Sequence, residues 1–195
     1  LPCSAMIESI SRNRLEALLG AAGGRRVAVV GDAMLDVYLR GEVERISPEA
    51  PVPIVRVSDR RMALGGAANV ANNIVTIGAG CELVSAAGAD AAGTTLREML
   101  SAVGADTRSL VTVRRPTTTK TRVVARSQQL VRYDEEDDSD LDAEEMNKLL
   151  AALERAVSEA DALVFEDYNK GVLVPGVIAK GIEWAKKRGI PVIVD

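Results

Sequence analysis

Apolar and polar positions along this chain change period several times, and the changes mark out alternating helices and strands. Leucines at helical spacing over residues 12–19 stop at Gly20, and residues 26–31 (RVAVVG) form a short β-branched run of the kind buried in a parallel sheet. After Gly65-Gly66, the positions Val70, Ala71, Ile74, Val75 and Ile77 recur at helical spacing until Gly78 and Gly80. A strand over 81–86 and a helix over 94–103, stopped by Gly104, repeat the unit. A helix over 143–158, a strand over 162–166, a helix over 177–187 and a strand over 190–195 complete the chain. Alternation of this kind predicts an α/β fold around a mainly parallel central sheet.

Two segments break the alternation. Residues 38–57 carry Pro48, Pro51 and Pro53, which exclude a helix and favour extended edge strands. Residues 110–133 alternate polar and apolar side chains around a turn expected at Ser127-Gln128, which predicts a hairpin. The run DEEDDSDLDAEE at 134–145 reads as a solvated linker into a helix whose N-terminus welcomes negative charge; it lacks the spacing and glycine of a calcium loop.

Charge and composition then remove whole classes of chemistry. The 195 residues hold 24 Lys+Arg against 28 Asp+Glu, a net charge of -4, which argues against a nucleic-acid partner. No histidine is present, so Ser/His/Asp and Cys/His catalysis and histidine-bound zinc are excluded within this chain, and general-base work falls to carboxylates. Cys3 and Cys81 match no metal or redox spacing, which suggests a reducing cytoplasm. The longest uncharged stretch, 62–81, is too rich in glycine and asparagine to insert in a membrane, and the opening residues lack the pattern of a secretory signal.

Four constellations carry candidate chemistry. Asp32 and Asp36 lie just beyond the first strand, where open α/β sheets bind ligands; they either accept hydrogen bonds from sugar hydroxyls or merely cap a turn. Gly65, Gly66 and Asn69 form a glycine turn opening a helix, suited to close backbone approach by a ligand or, more plainly, to a capped turn. Glu166, Asp167 and Lys170 follow another strand, as ligand groups or as structural and surface charges. The expected hairpin carries Lys120, Arg122, Arg126 and Arg132 around Gln128 and Gln129, either for a phosphate-bearing substrate or as protection against edge pairing.

Taken in order, GDAMLD at 31–36, RISPEAPVPIV at 45–55, GGAANVA at 65–71, QQLVR at 128–132 and DYNKG at 167–171 resemble the ribokinase-like carbohydrate kinases of the PfkB family. Within that family they are most similar to the kinases of heptose 7-phosphate that serve lipopolysaccharide precursor synthesis. The resemblance implies a ribokinase-like three-layer sandwich with a small β-sheet lid over 38–58 and 117–133, a lid that often pairs with a second subunit. It implies ATP and Mg2+ as cofactors and transfer of the γ-phosphoryl to the anomeric oxygen of D-glycero-β-D-manno-heptose 7-phosphate. Asp36, Gly65, Gly66 and Asn69 match sugar contacts of that family, Asp32 is a second such candidate, and Glu166 or Asp167 falls at a sugar-side acidic position. Lys170 and Gln129 join the substrate candidates, and Asp195 is expected near the nucleotide; no protein metal ligand is expected.

Arg122 and Arg132 have no counterpart in the general signature, and their charge suits the substrate's existing phosphate. The NxxE motif and the GAGD motif with the catalytic aspartate do not occur in these residues. The chain therefore reads as the N-terminal, sugar-binding and lid portion of one kinase domain, inactive alone. Another PfkB sugar or nucleoside kinase, and a sugar-binding module without catalysis, are the alternatives that the residues leave open.

Overall fold

The computed structural model describes residues 10–195, so Cys3 lies outside the described residues; Cys81 is a buried free thiol. In chain order the elements are α1 (Arg12–Ala22), β1 (Arg26–Gly31), β2 (Ala33–Ile46), β3 (Pro53–Gly66), α2 (Ala67–Thr76), β4 (Gly80–Gly88) and α3 (Ala91–Val103). They continue with β5 (Leu110–Val113), β6 (Thr119–Ala125), β7 (Gln128–Glu135), α4 (Ala143–Glu159), β8 (Ala162–Glu166), α5 (Pro175–Arg188) and β9 (Val192–Val194).

Five strands form a parallel central sheet in the order β5-β4-β1-β8-β9. Its core strands are apolar on both sides because helices cover both faces. Val29, Leu83, Ala87 and Val164 pack with Ala67, Ala68 and Ala71 of α2 and Leu96 and Leu100 of α3. Val30, Val84, Leu163 and Phe165 face the other way, onto Leu149, Leu153 and Val157 of α4 and Val177 and Ala185 of α5. The strand period of two thus divides one hydrophobic run between two layers of core.

The second sheet, β3-β2-β6-β7, is the lid. It is larger than the prolines suggest. β2 begins at Ala33, one residue after β1, and β3 extends to Gly66, so Asp36 lies within a lid strand. Pro48 and Pro51 lie in the connection closed by the Ser47 and Val52 amides, while Pro53 starts the edge strand β3, where a missing N–H costs least. The hairpin expected over 110–133 needs correction. Leu110–Val113 pairs with β4 at the edge of the central sheet; only β6 and β7 form a hairpin, and its turn is Arg126-Ser127, with Arg126 at φ 55°.

The acidic run is also not one linker. Asp134 and Glu135 belong to β7, whereas Asp142 caps α4 and closes a reciprocal box with Glu145. Among the described residues no helix is long and apolar enough to cross a membrane.

At the amino ends of the central strands, Glu82 of β4 is fully buried. It accepts hydrogen bonds from Arg26 at 2.7 Å, Arg108 at 2.8 Å and Ser109 at 2.6 Å. Burial alone raises the carboxyl's pKa, but the Arg108, Ser109 and Arg26 hydrogen bonds outweigh it and hold the group at about 2. Because this lies below the ordinary 4.5, the pairing stabilises the fold in full above pH 4.5 and is lost as pH falls through about 2. Glu82→Gln is expected to cost about 3 kcal/mol at neutral pH, since it removes the buried carboxylate on which the part-buried Arg26 and half-exposed Arg108 guanidiniums converge. Thermal unfolding from pH 7 to 2 checks this: the variant should start lower and fall less steeply than the parent below pH 4.5.

Candidate active site

The site is built where the chain leaves the central sheet for the lid. Asp32, the residue between β1 and β2, is buried and makes five hydrogen bonds. Its N–H donates to the Glu166 carbonyl at 3.2 Å, and its carbonyl accepts from Ala67 at the start of α2 at 3.0 Å. Its carboxylate accepts from the backbone N–H groups of Tyr168 and Lys170 at 3.0 Å each and of Val172 at 3.2 Å. Asp32 therefore fixes the loop after β8, and its oxygens are directed into the protein.

Asp36 instead presents its carboxylate on the lid face that carries Lys120 and Arg122. It lies on β2, half-buried, and takes an ion pair from Arg122 of β6. The glycine turn is shaped around these two acids. A Cβ on Gly65 would stand 2.8 Å from Asp36 Oδ2, and one on Gly66, whose φ is 54°, would stand 2.3 Å from the Asp32 carbonyl oxygen. Glycine is needed at both positions because an acid side chain in one case and a backbone carbonyl in the other occupies the space. Asn69 follows in the first turn of α2, with its side chain exposed.

Arg122 extends over the Tyr38 ring at 5.3 Å from its centroid, and its hydrogen bond to Asp36 pushes its pKa further up. Arg132 is its direct partner across β6 and β7 and pairs with Asp134 at 3.0 Å. Two arginines opposed in adjacent strands repel, and each is held by its own carboxylate. Lys170 reaches Glu136 at 2.9 Å, and Lys120 approaches the same acid at 3.6 Å, which ties the loop after β8 to the lid. Gln129 pairs with Val124, four register positions beyond the Asp36–Lys120 row, so the structure does not bring it to Asp36.

The two adjacent acids after β8 separate by environment. Asp167 is exposed and accepts from the Asn169 N–H at 2.7 Å within its own turn. Glu166 is buried, and desolvation, with the nearby charge of Asp195, raises its pKa. Asp195 follows β9, beside β8. These two carboxylates at neighbouring strand ends would suit a hydrated Mg2+, whose charge they could offset; among the described residues no group of three or more potential metal ligands exists. Tyr38, Tyr168, Asp134 and Glu136 were not singled out by the motifs. Tyr38 alone had a signal, since it shares a strand face with Asp36 at a spacing of two.

Residues 25–195 match the family described as pfkB family carbohydrate kinase. The chain belongs to that family. Among curated relatives of this pfkB chain, the bifunctional protein HldE of Caulobacter vibrioides is 46% identical over 176 residues, covering 90% of the chain and 36% of the relative. Bifunctional protein HldE of Geobacter sulfurreducens is 41% identical over 187 residues, covering 95% and 38%. The pfkB chain thus spans little more than a third of the length of these relatives.

Solved structures share its fold at lower identity. A tetrameric inhibited form of phosphofructokinase-2 from Escherichia coli superposes with a TM-score of 0.66 at 22% identity, covering 88% of this chain and 54% of that one. Arabidopsis thaliana ribokinase complexed with ribose and ATP gives 0.61 at 19% identity, covering 88% and 53%. The parallel sheet, its two helical layers and the β lid are thus the pfkB kinase architecture.

Asp32→Ala would leave three backbone amides, the Val172 one buried and the other two part-buried, without their acceptor, at a cost of about 3 kcal/mol. Hydrogen exchange should rise at Tyr168, Lys170 and Val172 well before it rises in α4. Unchanged protection at those amides would show that the loop is held by other contacts.

Proposed function

We propose that this chain is the sugar-binding and lid portion of an ATP-dependent sugar-phosphate kinase acting on heptose 7-phosphate. The observation that carries the reading is one lid face on which a carboxylate beside a glycine turn, Asp36, adjoins two cross-strand arginines, Arg122 and Arg132. A carboxylate accepts hydrogen bonds from sugar hydroxyls, and planar guanidiniums bind a phosphate dianion. Membership of the pfkB carbohydrate kinase family and the similarity to HldE proteins support a sugar kinase.

In this reading Asp36, the Gly65-Gly66 backbone and Asn69 orient the sugar, and Glu166 is the second sugar-side acid because Asp167 is engaged in its own turn. Asp32 positions the loop that carries them. The anomeric oxygen attacks the γ-phosphorus of ATP, the bond to the bridging oxygen of ADP breaks, and the hydroxyl proton passes to an aspartate in the GAGD motif that the family resemblance implies outside this chain. Mg2+ bound with ATP would neutralise charge on the phosphates, and Asp195, at the end of β9, would be the residue of this chain facing it. Lid and glycine turn together position the acceptor oxygen and exclude water, so that phosphoryl transfer competes with hydrolysis.

Full-length protein assayed with ATP and a panel of sugars should phosphorylate sugars bearing a terminal phosphate and leave their unphosphorylated forms largely unreacted. Arg132→Ala should raise the KM for the sugar phosphate by about 10-fold or more while the KM for ATP stays near its original value. Equal losses for both substrates would remove the assigned role of Arg132.

We also propose that the other face of the lid packs against a second copy, as in the dimers that the family resemblance implies. Val57, Met62, Val131 and Tyr133 are exposed there. Sedimentation of the full-length protein should show a dimer that Val131→Asp converts to monomer; a monomeric parent would rule this interface out.

A further inference from the structure

The registers of the lid strands place four side chains in one row across the sheet. Tyr38 is opposite Arg61 in β3 and opposite Arg122 in β6, and Arg122 is opposite Arg132 in β7. Paired residues of neighbouring strands share a face, so Arg61, Tyr38, Arg122 and Arg132 run side by side at the ~4.8 Å spacing of strands. The next row toward the central sheet holds Ala63, Asp36, Lys120 and Asp134.

Charge on these two rows does not cancel. Arg122 is paired with Asp36, and both Arg132 and Lys120 approach Asp134. Arg61 has no ion pair or side-chain hydrogen bond among the described residues, and it is exposed. Glu136 adjoins Lys120 and is also paired with Lys170, so five cations against three carboxylates leave an excess of two positive charges, close to the charge of a phosphate monoester at neutral pH. Beside Arg61 the lid face opens into a cavity of about 330 Å³ lined by Tyr38, Arg40, Arg61, Met62 and Ala63.

We infer that Arg61 is a further specificity-determining residue for the phosphate already on the substrate, acting with Arg122 and supplying the guanidinium charge that no protein carboxylate has claimed. The inference rests on the sugar-phosphate kinase reading and deepens it. Arg61 stands one row, about 7 Å, along the strands from Asp36 and one strand, about 4.8 Å, to the side. A sugar held at its hydroxyls by Asp36 spans that separation when its phosphate is on the terminal carbon. Arg122 then bridges the two ends: its ion pair with Asp36 fixes the guanidinium between the hydroxyl-binding acid and the phosphate. Tyr38 provides the flat surface over which Arg122 is held.

The test measures calorimetric affinity of the full-length protein for heptose 7-phosphate and for unphosphorylated heptose, and in parallel the KM for ATP. Arg61→Met should weaken binding of the sugar phosphate about 10- to 100-fold, leave the weaker binding of the free sugar unchanged and leave the KM for ATP unchanged. Arg61→Lys, which keeps the charge but loses the planar fork, should recover part of the loss. Equal weakening for both sugars would mark Arg61 as merely structural, and undiminished binding of the sugar phosphate would overturn the inference while leaving the kinase reading in place. Parent protein that binds the sugar phosphate through Arg61 but does not phosphorylate it would overturn the kinase reading alone. Parent protein that binds neither sugar would overturn both.

Discussion

The five hydrogen bonds of Asp32 hold together the three parts on which the site depends. Its backbone joins the end of β8 to the start of α2, and its carboxylate gathers three amides of the loop that follows β8. A buried carboxylate costs several kcal/mol unless its oxygens are satisfied, and here backbone donors satisfy them. That choice of donor matters. Side-chain partners would have consumed neighbouring polar groups, whereas amides leave Asp36 to pair with Arg122, Lys170 to pair with Glu136 and Asn69 exposed.

The lid face shows a different balance. Arginines in neighbouring register positions repel, and each additional one costs stability unless an anion adjoins it. Asp36 and Asp134 provide part of that anion within the protein, which allows the lid to fold without ligand while keeping a residual positive field. A face neutralised completely would fold more easily and bind phosphate poorly. Lys170 and Glu136 connect this face to the loop fixed by Asp32, so the lid and the loop after β8 are positioned by one continuous set of contacts.

Much of this architecture was legible beforehand, for local reasons. The runs RVAVVG and ALVFE are apolar on both sides because helices cover both faces of the sheet, and the helices after Gly66, before Gly104 and before Gly189 carry their own stop signals. The extent of the lid was not legible in the same way. Met34, Leu35 and Val37 are as apolar as core residues, and nothing local says that β2 starts one residue after β1. Likewise Leu110–Val113 has the composition of a hairpin strand. It joins β4 because the parallel edge of the central sheet is available there, which is a long-range fact.

Candidate residues divide along the same line. The sequence by itself determined the family pattern, the presence of carboxylates at strand ends, a glycine turn opening a helix at positions 65 and 66 and the excess of cations between 120 and 132, since these follow from residue type and short spacing. Tertiary structure decided that Asp32 serves the loop while Asp36 pairs with Arg122 on the lid face, that Glu166 is buried and Asp167 is not, and that Arg61 stands in line with Arg122 and Arg132. Those assignments depend on strand register and on which donors reach a carboxylate across more than a hundred residues of chain. Register is set by packing the apolar side of each strand into the core, so the polar face it creates exists only once the whole sheet has formed.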